Sequence, residues 1–182
     1  MTIEAFAQST VGRGVTRVVA AAMESRFRYR FFPPTRILGG VDALRGQVLE
    51  IGCGTGFFSL PAANLLGNDG FLTALDILPE SVDLVRRKAE TARIENLRVL
   101  QRDARQTNLP AASVDTVLLF GVIPAPMLPL AELLPEMCRV LKPGGGLAVW
   151  PPVPLWLPRS IVRSGLFAFT VKRNGVHNFK RL

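Results

Sequence analysis

One stretch constrains this chain more than any other: Gln47-Val48-Leu49-Glu50-Ile51-Gly52-Cys53-Gly54-Thr55-Gly56. An apolar run carrying one acid is followed by glycine at alternate positions. Apolar residues running into glycines describe a buried parallel strand that turns sharply at its carboxyl end into a helix. Glycines at 52, 54 and 56 leave bare backbone above the strand, against which a ligand can press. A dinucleotide fingerprint, G-x-G-x-x-G, would put its third glycine at 57. That position is Phe57, and the third glycine comes one residue early. The spacing therefore favours a nucleoside with an amino-acid tail over a pyrophosphate.

The rest of the chain reads as strand–helix alternation around that turn. Residues 18–32 are basic and aromatic and predict a helix that ends before Pro33-Pro34, since the residue before proline avoids the helical region. A short helix is expected over 35–44, a helix over 56–66, and a second strand over 71–75 with Asp76 at its end. Pro79 opens the next helix, with acids early and Arg86, Arg87 and Lys88 late, the order the helix dipole favours. Strands follow at 98–101, 116–120 and 147–150. A helix over 130–141 is kinked or restarted by Pro135, and Gly145 and Gly146 read as helix-stop and turn residues. After a short helix near 157–164, Asn174-Gly175 between two strand-like runs is a hairpin signal. Five alternating units and a terminal hairpin give an α/β, doubly wound sheet. At 182 residues the chain reads as one domain, with a helical cap over 1–40 and the sheet-bearing core over 41–182.

Residues 48–56 resemble the first motif of the class I S-adenosylmethionine (SAM)-dependent methyltransferases. The resemblance is to the group containing the ubiquinone- and menaquinone-biosynthesis C-methyltransferases. Asp76, Asp103-Ala104 and the run at 139–145 ending Lys142-Pro143-Gly144-Gly145 follow in the family's order. The resemblance implies a Rossmann-like, seven-stranded sheet with an antiparallel last strand, preceded by short helices that cover the pocket. It implies SAM as cofactor, held by Glu50, Gly52, Cys53, Gly54, Thr55, Gly56, Asp76, Ile77, Asp103, Ala104, Phe120 and Gly121. In that scheme Asp76 accepts from the ribose hydroxyls, the Asp103 position meets the adenine amino group, and Glu50 orients the methionine ammonium. Ligands in such sheets bind outside the carboxyl ends of the strands, where these residues fall.

Amino-methyltransferases of nucleic acids and proteins commonly carry Asn/Asp-Pro-Pro-Tyr/Phe after the fourth strand. This chain has Gly121-Val122-Ile123-Pro124-Ala125-Pro126, without a side-chain acceptor, so nucleobase methylation is disfavoured. No His/Cys/Asp/Glu pattern suggests a metal, and Cys53 and Cys138 suggest no disulfide framework. The catalytic residue is unassigned; the single tyrosine, Tyr29, and single histidine, His177, are the weak candidates, and His177 fits a plain strand residue better. Asp115 reads as a structural acid.

The net charge of +8 is uneven: residues 1–48 carry +4, 49–136 carry −4, and the remainder has eight Lys/Arg and no acid. Such asymmetry points to an anionic partner or to a solvated face. The expected acceptor is a small or lipid-like molecule with an anionic head, walled by the apolar segments 122–127 and 151–156. Arg28, Arg30, Arg159, Lys172 and Arg173 are expected to flank its entry and to meet an anionic membrane surface. The alternatives are a nucleic-acid methyltransferase, or a SAM-binding protein without activity. With no signal-like segment at the start and prolines interrupting the longest apolar run, a cytoplasmic setting is expected. Oligomeric state is not legible.

Overall fold

The computed structural model describes residues 30–122, 128–151 and 159–182. In chain order these form α1 (Pro34–Leu38), β1 (Gly46–Ile51), α2 (Ser59–Leu66), β2 (Gly70–Asp76), α3 (Pro79–Thr91), β3 (Leu97–Gln101) and β4 (Val114–Phe120). They continue with α4 (Leu130–Val140), β5 (Leu141–Trp150), α5 (Arg159–Arg163), β6 (Phe167–Arg173) and β7 (Val176–Arg181). The seven strands make one sheet in the order β3-β2-β1-β4-β5-β7-β6. Pairing is parallel from β3 through β5, and β7 runs antiparallel to both neighbours. The expected doubly wound α/β sheet with a reversed last strand is the fold observed. Strand order reverses between β1 and β4, which opens a crevice at their carboxyl ends.

Burial explains why these segments hold. β1 buries Val48, Leu49, Glu50 and Ile51 in succession, as a strand covered on both faces must. One face receives Ile37, Leu38, Ala62, Ala63 and Leu66 from α1 and α2, beside Val82 and Val85 of α3. The other receives Leu133, Leu134, Met137 and Val140 of α4 and Ile161 of α5. α3 has Pro79 in its first turn and Lys88 in its last, and α4 continues through Pro135 without interruption. Asn174 and Gly175 both take positive φ, 48° and 80°, the backbone a tight hairpin between twisted strands needs.

Three boundaries depart from expectation. α1 stops at Leu38, because Gly40 must lie flat against the β6–β7 turn: a Cβ there would fall 2.3 Å from the Arg173 carbonyl oxygen. α2 starts at Ser59 because Gly56, with φ of 82°, cannot be helical. β5 starts at Leu141, so Gly146 is a ladder residue opposite Thr116 and Lys180, not a turn residue. The helix expected over 18–32 falls largely outside the described residues; its last two described positions, Arg30 and Phe31, are helical and the helix ends before Pro33.

Candidate functional site

β1 delivers the glycine turn to the carboxyl edge of the sheet, and β2 fixes it there. The Gly52 and Cys53 N–H groups both donate to the Leu75 carbonyl (2.8 and 2.9 Å), and Gly56 N–H donates to the Cys53 carbonyl (2.8 Å). Gly52, Gly54 and Gly56 have φ of 74°, 52° and 82°, the left-handed region that side chains resist. Their tasks differ, however. A Cβ on Gly56 would meet Leu60 Cδ1 at 2.7 Å and Val85 Cγ2 at 3.2 Å, so this glycine lets α2 and α3 close on the turn. The expectation of bare ligand-facing backbone at all three positions is corrected there. The space over Gly52 is taken by Val122, whose Cγ2 would lie 2.8 Å from an added Cβ.

Asp76, at the end of β2, clamps the turn. One carboxylate oxygen accepts from Gly54 N–H (2.8 Å) and the other from Leu78 N–H (3.0 Å). This clamping was not legible in the motif, which pointed only to a ligand contact. A carboxylate has about four acceptor positions, so each oxygen keeps capacity for a ribose hydroxyl. Burial pushes this acid upward, while the backbone donors pull it back. Lys88, on α3, donates to the Thr55 carbonyl (2.9 Å) and steadies the turn from its other side.

Glu50 is the most unusual group of the site. It is 1 % exposed, and its Oε2 meets no hydrogen-bonding partner. Burial pushes its carboxyl up to about 7; nearby Ser59 pulls the other way, and the negative Asp76 adds to the rise. Strict hydrogen-bond geometry leaves the Ser59 hydroxyl unpartnered too, as it does the buried Thr55 Oγ1. Burial, helped by the two acids, also pushes the Cys53 thiol up, so this cysteine is a neutral filler and not a nucleophile.

The remaining expected residues are placed as follows. Ile77 is half-buried and its carbonyl accepts from Gln101 Nε2 at 3.3 Å. Asp103 and Ala104 follow β3 on the same edge. Both Asp103 oxygens are engaged by the Arg105 guanidinium, at 2.7 Å for Nη2, which holds the carboxyl below its usual range. Arg105 also reaches Glu132 of α4 (2.9 Å). Phe120 ends β4 with its ring in the core, 5.0 Å from that of Phe58, and Gly121 follows at φ of 73° with open space where a Cβ would stand. His177 lies in β7 opposite Val149, two strands from β4; it is 4 % exposed, with Nδ1 unpartnered and its pKa lowered chiefly by burial. Tyr29, Arg28 and most of both apolar wall segments lie outside the described residues. Arg30, Arg159 and Lys172 are exposed, and Arg173 is paired with Asp42 at 3.0 Å. Asp115 is structural: it accepts from Gln47 N–H (2.8 Å) and from Lys142 Nζ (2.7 Å).

These residues fit SAM. Glu50 Oε2 is a bare buried acceptor of the kind an ammonium requires, Thr55 Oγ1 a bare donor for a carboxylate, and Asp76 has spare acceptor capacity for a ribose diol. Phe57, 2 % exposed, fills the place where a dinucleotide turn would need its last glycine. Fold and site together define a nucleoside-cofactor domain of the SAM-binding type. Comparison with known proteins agrees. Residues 48–145 match the family described as a methyltransferase domain. The chain is 34% identical over 115 residues to demethylmenaquinone methyltransferase of Listeria welshimeri, covering 60% of this chain and 48% of that protein. It is 31% identical over 148 residues to an aklanonic acid methyltransferase of a Streptomyces strain, covering 79% and 63%. A SAM-dependent methyltransferase structure from Aquifex aeolicus shares the fold with a TM-score of 0.74 at 21% identity, over 90% of this chain and 96% of that one. The chain belongs to the methyltransferase-domain family, as the glycine turn implied. It spans about half the length of the first of these relatives.

Proposed function

We propose that this protein binds SAM across the carboxyl ends of β1, β2 and β4 and transfers its methyl group to a small or lipid-like acceptor. The observation that carries this reading is the pairing of Asp76, clamped to Gly54 N–H with acceptor capacity to spare, with the buried, unpartnered Glu50 one strand away. SAM, when bound, supplies a sulfonium-activated methyl group that needs no further activation by the protein. The chain's own task is alignment. Asp76 fixes the turn and the ribose, Glu50 balances the ammonium, and Gly54 lets the cofactor lie against backbone. Positioning of this kind is worth on the order of 7–11 kcal/mol of barrier, so the reading does not depend on a dedicated general base.

The acceptor carries an anionic head in this proposal. Lys172 stands exposed at the carboxyl end of β6, Arg159 is exposed at the start of α5, and a relative acts on a substrate named as an acid. Arg173 contributes less than its position implies, because Asp42 already neutralises it. Calorimetry with SAM, its demethylated product and NAD tests the cofactor reading, and tighter binding of NAD than of the other two would overturn it. Incubation with methyl-labelled SAM and fractionated lipid and metabolite extracts tests transfer. Label appearing only in nucleic acid, or binding without transfer to any fraction, would overturn the acceptor class.

A further inference from the structure

At the edge of the sheet opposite the glycine turn lies a cavity of about 480 Å³ that methyl transfer does not use. β1 separates the two: its rise from Gly46 to Ile51, about 3.3 Å per residue, puts roughly 16 Å between them. The floor of the cavity is one row of the sheet. Thr116, Gly146 and Lys180 stand side by side in register on β4, β5 and β7, so their side-chain positions share one face. Gly146 contributes no side chain, and Ala148, next on that face, contributes only a methyl group. That missing bulk is what leaves the space.

Both lips are fixed. Residues 40–45 form one of them, fastened by the Asn178 side chain, which accepts from Asp42 N–H and donates to the Gly40 carbonyl (both 2.9 Å). The Thr116 hydroxyl donates to the Ala43 carbonyl (2.6 Å). Lys180 lies two residues beyond Asn178 in β7 and so projects to the same side. The other lip is pushed out of the sheet. Val114 pairs with Leu141 and Thr116 with Gly146, so residues 142–145 bulge where β4 has only Asp115. Gly144 turns there with φ of 70° and has open space where a Cβ would stand.

Charge in this cavity is uneven. Arg45, Lys142 and Lys180 line it together with Asp42 and Asp115. Asp115 is matched by Lys142 (2.7 Å), and Asp42 by Arg173 (3.0 Å), which lies outside the lining. Arg45 and Lys180 therefore bring two positive charges in surplus to one concavity. Lys142 adds donors of its own, since an ammonium carries three N–H groups and the bond to Asp115 takes one.

We propose that this cavity is a second binding site, for a small phosphate monoester. The phosphate is held between Arg45, Lys142 and Lys180, and the body of the ligand lies over Gly146 and Ala148. A phosphate monoester carries close to two negative charges at pH 7.5, which matches the surplus; a single carboxylate would leave one cation unmatched. Nucleic acid commonly engages about six to ten phosphates, far more than this concavity offers. The volume falls within the range of small-molecule sites, about 300–1,000 Å³. The site is independent of the methyl-transfer reading.

Ribose 5-phosphate is the probe and ribose the neutral control, in calorimetry with the demethylated cofactor saturating the other edge. One site per chain is expected, with no binding of ribose. R45A and K180A are each expected to weaken the ester about tenfold, the scale of one charge-assisted hydrogen bond. Affinity is expected to fall from pH 7.5 to 5.5, because the ester takes up its second proton near about 6. G146V keeps every charge but fills the floor, and is expected to abolish binding at an unchanged melting temperature. A Cβ there would sit 3.6 Å from Thr116 Oγ1, an ordinary contact. Arg45 and Lys180 are exposed, so the result for their variants stands even if G146V does not fold. Ester binding that folded G146V retains would mark a diffuse basic surface and overturn the proposal. Displacement of the ester by the demethylated cofactor, or unchanged affinity in both R45A and K180A, would overturn it too. Binding of phosphatidic acid vesicles or transfer RNA without saturable binding of the ester would assign the charge to a macromolecule instead, and no binding of any of these would leave it as a solvated face.

Discussion

Replacing Glu50 by glutamine removes a buried charge while keeping the side chain's shape, and the consequence depends on pH in a direction the structure fixes. In the unfolded chain this carboxyl loses its proton near 4.5, and in the fold near 7. Below the lower value both states are protonated and Glu50 costs nothing as a charge. Between the two, the unfolded state ionises and the folded state resists, so stability falls as pH rises. Above about pH 8 the loss is complete. At about 1.4 kcal/mol for each tenfold change, the full drop is about 3 kcal/mol. Glu50→Gln carries no such dependence. Its amide leaves a buried donor without a partner, a cost on the order of 1–3 kcal/mol that is the same at every pH. The quantity to measure is therefore the difference between the two proteins, from urea midpoints at pH 5, 6, 7 and 8. Wild type is expected to lose roughly 2–3 kcal/mol relative to the variant across that range. Saturating SAM, whose ammonium favours the anion, is expected to flatten the wild-type curve. Parallel curves for the two cofactor-free proteins would refute the claim that this carboxyl is desolvated and uncompensated.

Three further outcomes are expected. Asp76→Ala frees the Gly54 and Leu78 N–H groups and weakens SAM binding by roughly 1–3 kcal/mol in calorimetry, the scale for hydrogen bonds to a charged group. Gly54→Val abolishes SAM binding in a chain that circular dichroism shows to be folded, because valine resists the φ of 52° and adds bulk to the turn; normal binding would exclude this turn as the pocket floor. Glu136→Ala leaves the Thr107 N–H and its buried hydroxyl without the acceptor they share at 2.9 and 2.6 Å, lowering stability by about 1–3 kcal/mol in urea unfolding with SAM affinity unchanged.

What was legible in the sequence was whatever depends on near neighbours. The glycine turn, Asp76 at the end of its strand, the α3 stripe of Val82, Val85 and Ala89, and the Asn174-Gly175 hairpin all follow from local spacing. What was not legible depends on residues far apart in the chain. α1 ends early because Gly40 meets Arg173, and β5 begins early because Leu141 pairs with Val114. Asp103 was read as the position that meets an adenine amino group, and its pairing through both oxygens with Arg105, two residues on, was no part of that reading. Asp76 was read as facing outward to a ligand, whereas half its capacity serves the turn itself. The assignment of three equivalent glycines failed at Gly56 because its neighbours Leu60 and Val85 come from two different helices.

Asn178 gives the molecule an order of assembly. Its side chain accepts from Asp42 N–H (2.9 Å) and donates to the Gly40 carbonyl (2.9 Å), across separations of 136 and 138 residues. The segment that leads from α1 into β1 is thus fastened to β7, a strand made long after it. At a synthesis rate of roughly 5–20 residues per second, on the order of 7 to 27 s pass between the two emerging from the ribosome. Throughout that interval the Gly40–Asp42 backbone has no Asn178 to bind, and Ile37 and Leu38 wait beside an incomplete sheet. Final docking of the segment between α1 and β1 is therefore expected to follow formation of the hairpin at the far end of the described chain.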